Sequence, residues 1–305
     1  MKYNSCSFQL FVLILQHILK NQNINTMKLI ADSGSTKTDW AMIAPDGTIV
    51  GTYKSDGINP IHQSPDEIKS ILNKLVQWSY EIDEIHFYGS GLRPEKQIPM
   101  QELLSSYFHI DITKVEAQSD LLGAARALCG NKEGIACILG TGANSCLYNG
   151  EKIIKNTPAL GYILGDEGSG AVLGKRLING IYKGGLPIEL KKIFEEELHL
   201  TLADIIEHVY RSKLPNRWLA SLSSFIYKYK DNYPELSQMV VGCLHDFICR
   251  NILPYQRKDL PISAVGSIAW YYHTELAQAT SLEGMCMGKI IKNPINGLID
   301  YHSHY

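Results

Sequence analysis

Asp32-Ser-Gly-Ser-Thr-Lys-Thr38 is the stretch on which the reading of this 305-residue chain turns. An apolar run, Lys28-Leu-Ile-Ala31, leads into it, and a second, Trp40-Ala-Met-Ile-Ala44, leaves it. Pro45-Asp46-Gly47 then signals a tight turn before a third strand, Thr48–Tyr53. The small-residue run therefore belongs at the tip of a β-hairpin. Small side chains let the backbone approach a ligand. Successive backbone N–H groups with Ser and Thr hydroxyls make a cradle for anions. An Asp at the strand end suits a divalent cation beside those anions. The same run also fits an ordinary Gly/Ser turn, so the rest of the chain has to decide.

Residues 134–154 repeat the pattern. Gly134–Leu139 is an apolar strand, Gly140-Thr-Gly-Ala-Asn144 a small-residue turn, and Ser145–Tyr148 a second strand. Asn149-Gly150 is a hairpin signal before Glu151–Ile154. A duplicated α/β fold with two hairpin tips across a cleft follows. Between the repeats, Ser64-Pro-Asp-Glu67 reads as a helix start with a capping box, followed by Ile68, Ile71, Leu72, Leu75 and Val76 at helical spacing. Glu84–Tyr88 and Lys114–Ala117 read as strands, Gln101–Phe108 and Asp120–Leu128 as helices. Beyond the second repeat the spacing predicts helices over 171–182, 188–198, 202–211, 217–230 and 235–253, then a strand at 261–265 running into Gly266-Ser267. The expected domains are residues 27–128 with 288–305, and residues 129–287 with helical insertions.

The composition is that of a globular enzyme, 45% hydrophobic and 20% charged. A net charge of −2 offers no bulk attraction to nucleic acid or to an anionic membrane. Seven cysteines without a Cys-x-x-Cys pair suit free thiols in a reducing cytoplasm. The apolar run Phe8–Leu19 is too short for a membrane span and lacks a small-x-small cleavage site. Met27 stands directly before the first core strand, so residues 1–26 are expected to be an upstream extension.

Taken together, the segments resemble the N-acetylglucosamine kinase group of the BadF/BadG ATPase family, on the sugar-kinase side of the actin/hexokinase superfamily. The resemblance covers residues 27–305 and rests on five motifs in order: Asp32–Thr38, Ser119-Asp-Leu-Leu-Gly-Ala-Ala125, Leu139–Asn144, Gly165-Asp-Glu-Gly-Ser169 and Ala264-Val-Gly-Ser-Ile268. It implies two ribonuclease H-like (actin-like ATPase) domains flanking a cleft, and an ATP- and Mg²⁺-dependent kinase acting on an amino sugar. N-acetylglucosamine and its 6-hydroxyl are the family expectation, and a homodimer is compatible with it.

The roles carried over are as follows. Asp120 would be the general base on the sugar hydroxyl, although an Asp at a helix start is also a common N-cap. Asp32 would hold Mg²⁺ through water. Ser35, Thr36, Gly140, Thr141 and Gly142 would take phosphates, and Gly266 and Ser267 would line the adenine pocket. Lys37 either neutralises phosphate or points to solvent. Asn59, Asn144 and Asp166 would meet the sugar, with Glu167 as either a sugar contact or an acid in the first turn of a helix. The family usually has glycine where this chain has Ser33 and Ser35, which would strain a loop that needs positive φ. The segment Asn293–His302 resembles the closing helix on the first domain, and His302 and His304 are expected in a frayed tail.

Three rivals remain at this stage. A non-catalytic sugar or nucleotide sensor could use the same fold. The activator ATPases of dehydratases share the superfamily, but no segment resembles their cluster loop. The repressor/glucokinase group carries a Cys-rich zinc motif that this chain lacks.

Overall fold

The computed structural model describes residues 26–34, 36–75 and 81–304. The expected extension up to residue 25, the phosphate contact at Ser35 and the helix position Val76 lie outside the described residues. The rest divides into two compact units, one ending at Gly123 and rejoined from Ile295 onward, the other spanning Ala124–Pro294.

The first unit is built on five strands: β1 (Thr26–Ser33), β2 (Lys37–Ile43), β3 (Ile49–Asp56), β4 (Glu81–Gly89) and β5 (Val115–Ser119). Their order is β3-β2-β1-β4-β5. The β1–β2–β3 meander is antiparallel, whereas β4 and β5 run parallel to β1. Leu29, Ile30 and Ala31 are fully buried, as a central strand covered on both faces requires. Helix α1 (Pro65–Leu72) opens with the expected capping box: Ser64 N–H donates to Glu67 Oε2 at 2.6 Å, and Glu67 N–H to Ser64 Oγ at 3.3 Å. It buries Ile68, Ile71 and Leu72. Helix α2 spans Pro94–Phe108, a full turn and more before the expected start at Gln101, and tolerates Pro99 within its second turn. Helix α3 (Asp120–Cys129) follows β5.

The closing helix, Ile295–His304, packs on β1 and β2. Lys28 Nζ donates to the carbonyl of His302 at 3.3 Å, and Tyr88 Oη meets His302 Nε2 at 2.8 Å. The His302 ring stacks on His86 with centroids 3.7 Å apart. His302 is thus buried in a polar cluster, and the frayed tail expected there is corrected.

The second unit repeats the same arrangement with β6 (Glu133–Leu139), β7 (Ala143–Asn149), β8 (Ile153–Asn156), β9 (Ile262–Val265) and β10 (Met287–Ile291), ordered β10-β9-β6-β7-β8. Read from the meander edge, both sheets follow the same path, so the duplication inferred from the hairpin echo is present. Strand β10 was not expected. It is short, and its register shifts between Met287 and Ile290.

Helices fill the segment between β8 and β9: α4 (Gly161–Leu164), α5 (Gly170–Lys183), α6 (Ile188–Leu198), α7 (Leu202–Arg211), α8 (Pro215–Ser221), α9 (Ser223–Tyr229) and α10 (Pro234–Phe247). The long helix expected over 217–230 is broken at Leu222, and the one over 235–253 opens into a π turn at Ile248–Ile252. After β9 come α11 (Ser267–Tyr271) and α12 (His273–Leu282). Phe194, Phe225, Phe247 and Tyr272 join Leu139 and Leu173 in the core of this unit. Among the described residues, no helix is long and apolar enough to cross a membrane.

Candidate functional site

In the first unit the parallel strands β1, β4 and β5 end level with one another, with Ser33 opposite Gly89 and Gly89 opposite Ser119. Asp32 precedes that line on β1, and Asp120 follows it as the first residue of α3. Ligands of α/β sheets bind beyond the carboxyl ends of the strands. Asp120 does not have to cap its own helix by side chain: Ser119 Oγ accepts from Leu122 N–H at 3.3 Å.

The surroundings hold both carboxyls above the ordinary carboxylate range. Burial, then the charges of Asp120 and Asp39, push Asp32 up to about 7, against the opposing pull of Lys37. Burial pushes Asp120 up to about 6, against backbone N–H groups of Leu121 and Asp120 itself. Two carboxyls poised in this range are suited to proton transfer and to cation binding.

Asp39 was missed by the sequence reading. It lies directly across the hairpin from Asp32 and is almost fully buried. Lys37 Nζ, half exposed to solvent, donates to its Oδ2 at 2.6 Å. The available signal was an acid inside an apolar strand opposite another acid.

The strain expected at Ser33 is corrected. Ser33 is the last residue of β1, is fully buried and has no positive φ. Its Oγ accepts from Ile58 N–H at 2.9 Å, donates to Ile58 O at 3.0 Å and lies 2.7 Å from Thr38 Oγ1. A glycine could supply none of these bonds. Thr36 stays exposed at the tip, its carbonyl accepting from Gly57 N–H at 3.1 Å. Asn59 follows, with Oδ1 accepting from Ile61 N–H at 2.9 Å, an Asx turn before Pro60. Its Nδ2 lies 3.5 Å from Ser90 Oγ, and Gly91, at φ +79°, leaves room for its amide, since a Cβ there would sit 2.3 Å from Oδ1.

In the second unit the loop 140–142 is fastened to the start of α5. Gly170 N–H donates to Gly140 O at 2.8 Å and Ala171 N–H to Thr141 O at 3.2 Å, while Gly140 N–H closes the turn onto Gly142 O at 3.0 Å. Among the described residues nothing lies within 4 Å of where a Gly140 Cβ would be. Asp166 sits under this loop at φ +55°. Its Oδ1 accepts from Ala143 N–H at 3.3 Å, and its Oδ2 would be 3.1 Å from a Cβ on Gly142. Burial raises its pKa above the ordinary carboxylate value, opposed by the Ala143 N–H.

Gly266 abuts the same loop from β9. At φ +122° its Cβ would come 2.2 Å from Leu139 O, so only glycine fits. Ser267 is the first residue of the short α11. The structure thus gathers Gly140, Thr141, Gly142, Asp166 and Gly266 at one loop. Two other candidates have partners of their own: Glu167 faces Arg250 and Asn251 at 3.4 Å each, and Asn144 Oδ1 accepts from Asn156 Nδ2 at 2.9 Å.

No family model matches the chain, and no curated protein does. Solved structures do. A provisionally named N-acetylglucosamine kinase from Porphyromonas gingivalis is 47% identical, with a TM-score of 0.86 over 91% of this chain and 99% of that one. A second protein so named, from Chromobacterium violaceum, is 15% identical, with a TM-score of 0.70 over 90% of this chain and 98% of that one. A ROK-family glucokinase from Streptomyces griseus, solved with glucose and AMPPNP, shares the fold at 12% identity and a TM-score of 0.50, over 90% of this chain and 97% of that one. Two α/β units of one topology, and 47% identity across nearly the whole length of the Porphyromonas protein, show that this chain belongs to the N-acetylglucosamine kinase-like family of the actin-like ATPase fold.

Proposed function

We propose that the protein is an ATP-dependent kinase that phosphorylates an amino sugar, N-acetylglucosamine at its 6-hydroxyl, in the cytoplasm. The observation that carries this reading is the pair of half-buried carboxyls, Asp32 and Asp120, flanking the level ends of the parallel strands β1, β4 and β5. The 47% identity to a protein named for this activity supports the choice of substrate. Free thiols at all described cysteines suit a reducing compartment.

Asp120 accepts the proton of the attacking hydroxyl, and its raised pKa makes it a stronger base than an exposed carboxylate while keeping it mostly ionised at neutral pH. The donor set around Asp32 fits Mg²⁺: a carboxylate with a second acid, Asp39, directly opposite, both hard oxygen donors. A bound Mg²⁺ would neutralise phosphate charge there. Thr36, exposed at the hairpin tip, and Thr141, between two glycines, offer hydroxyls and backbone N–H groups to phosphate oxygens. Gly266 and Ser267 line the nucleotide's base. Asp166, its carboxylate steadied by Ala143 N–H, accepts hydrogen bonds from sugar hydroxyls.

The test is ADP release from Mg-ATP across a panel of amino sugars, with Asp120→Asn beside the native protein. Turnover on N-acetylglucosamine, reduced at least about 10²-fold in kcat by Asp120→Asn with sugar affinity retained, is the expected result. Sugar-dependent stabilisation without turnover on any sugar would replace the kinase by a sensor.

A further inference from the structure

Among side chains that the kinase reading leaves unused, α10, the π turn after it and the end of α12 bring together three of mixed donor type. His245 lies on α10, Cys249 one turn later in the π segment, and Glu283 caps α12. His245 Nε2 is 2.9 Å from Glu283 Oε1, Cys249 Sγ is 3.5 Å from His245 Nε2, and Cys249 Sγ is 3.6 Å from Glu283 Oε1. All three are partly buried.

We propose that His245, Cys249 and Glu283 form a binding site for a borderline-soft divalent cation of the Zn²⁺ class, tying the end of α10 to the end of α12. The triangle they make is the argument. Zn–S near 2.3 Å, with Zn–N and Zn–O near 2.1 Å, at tetrahedral angles, puts S and N about 3.6 Å apart and S and O about 3.6 Å apart. Two of the observed sides meet those values. The third, N to O, would be about 3.4 Å around a metal and is shorter here because the imidazole and carboxylate hydrogen-bond each other. Replacing that proton by a cation opens this side by about half an ångström and leaves the others where they are.

The surroundings support one oxygen of Glu283 as ligand. Lys258 Nζ lies 3.5 Å from Oε2 and donates to the carbonyl of Glu283 at 2.9 Å, so the carboxylate is turned with Oε1 toward the sulfur. The π turn supplies the remaining geometry. Such turns are single-turn widenings of a helix that recur at functional sites, and this one sets Cys249 against the ring of His245. A bound cation favours the thiolate, so the sulfur would bind deprotonated. As the sulfur–metal bond forms, the thiol proton leaves to solvent. Three protein ligands leave a fourth tetrahedral position for water or another donor.

The test is titration of the full chain with Co²⁺ as spectroscopic probe, followed by Zn²⁺ competition. The expected result is one equivalent bound, with a thiolate-to-cobalt charge-transfer band in the near ultraviolet. Zn²⁺ should abolish the band. Cys249→Ser should remove it, His245→Gln should weaken binding at least about tenfold, and Cys286→Ser, at an exposed thiol outside the triangle, should leave both unchanged. Absence of the band in the native protein overturns the proposal. So does a band that survives Cys249→Ser, or one lost only with Cys286→Ser. Circular dichroism of each variant separates loss of the site from loss of the fold.

Discussion

Replacing Asp32 by Asn should stabilise the ligand-free protein at alkaline pH and hardly change it in acid. Desolvation and neighbouring acids push the carboxyl of Asp32 up to about 7, whereas the unfolded chain releases its proton near 3.8. Between those values the folded state binds more protons than the unfolded one, so stability falls as pH rises through the window. A rise from 3.8 to about 7, at about 1.4 kcal/mol per tenfold, corresponds to roughly 4 kcal/mol of destabilisation once the group is ionised. Asparagine never ionises, so Asp32→Asn escapes this cost, of which the repulsion from Asp39 is a part. At about pH 8 the variant should gain up to roughly 4 kcal/mol, near 8 °C in Tm at about 2 °C per kcal/mol. At about pH 4 the two proteins should unfold together. Urea and thermal unfolding across that range, without added divalent cations, read the difference directly. A gap that stays constant with pH, or a variant less stable at about pH 8, would refute the claim that desolvation and like charge strain this carboxylate.

Three further outcomes follow from the same geometry. Ser33→Ala leaves the buried Ile58 N–H and carbonyl without their side-chain partner and should cost about 1–3 kcal/mol in urea unfolding, whereas Ser33→Thr keeps the hydroxyl; a neutral Ser33→Ala would remove its anchoring role. Gly266→Ala forces a Cβ to 2.2 Å from Leu139 O at φ +122° and should cost about 3 kcal/mol or more, with impaired nucleotide binding; a Tm within a degree of native would contradict it. In acid, kcat/KM should rise as Asp120 ionises, with an apparent midpoint near 6, and a profile flat from about pH 5 to 8 would take Asp120 out of the base role.

What the sequence disclosed was local and periodic. The hairpin tip at 32–38, the capping box at Ser64 and Glu67, and the echo at 139–144 depend on neighbours in the chain, and each recurs in the structure. What it concealed depends on residues far apart. Ser33 looked like a strained glycine substitute because its partner, Ile58, lies 25 positions away. His302 looked like a tail residue until Tyr88 and His86 closed around it. Strand β10 is only five residues long, with Gly288 and Lys289 inside it, and its pairing with β9 is what marks it as a strand. Asp39 is legible only once the hairpin register sets it against Asp32. The π turn that carries Cys249 has no signature in helical spacing, which continues through it.

The two hydrogen bonds from Gly170 and Ala171 to the carbonyls of Gly140 and Thr141 have a mechanical meaning. Loop 140–142 is welded to the head of α5, a rod of 14 residues that extends roughly 21 Å at 1.5 Å per residue. The loop therefore has little private motion. Any displacement a ligand imposes on it travels down that shaft to Lys183 and the turn at Gly184, and a load applied at the far end returns to the loop by the same route.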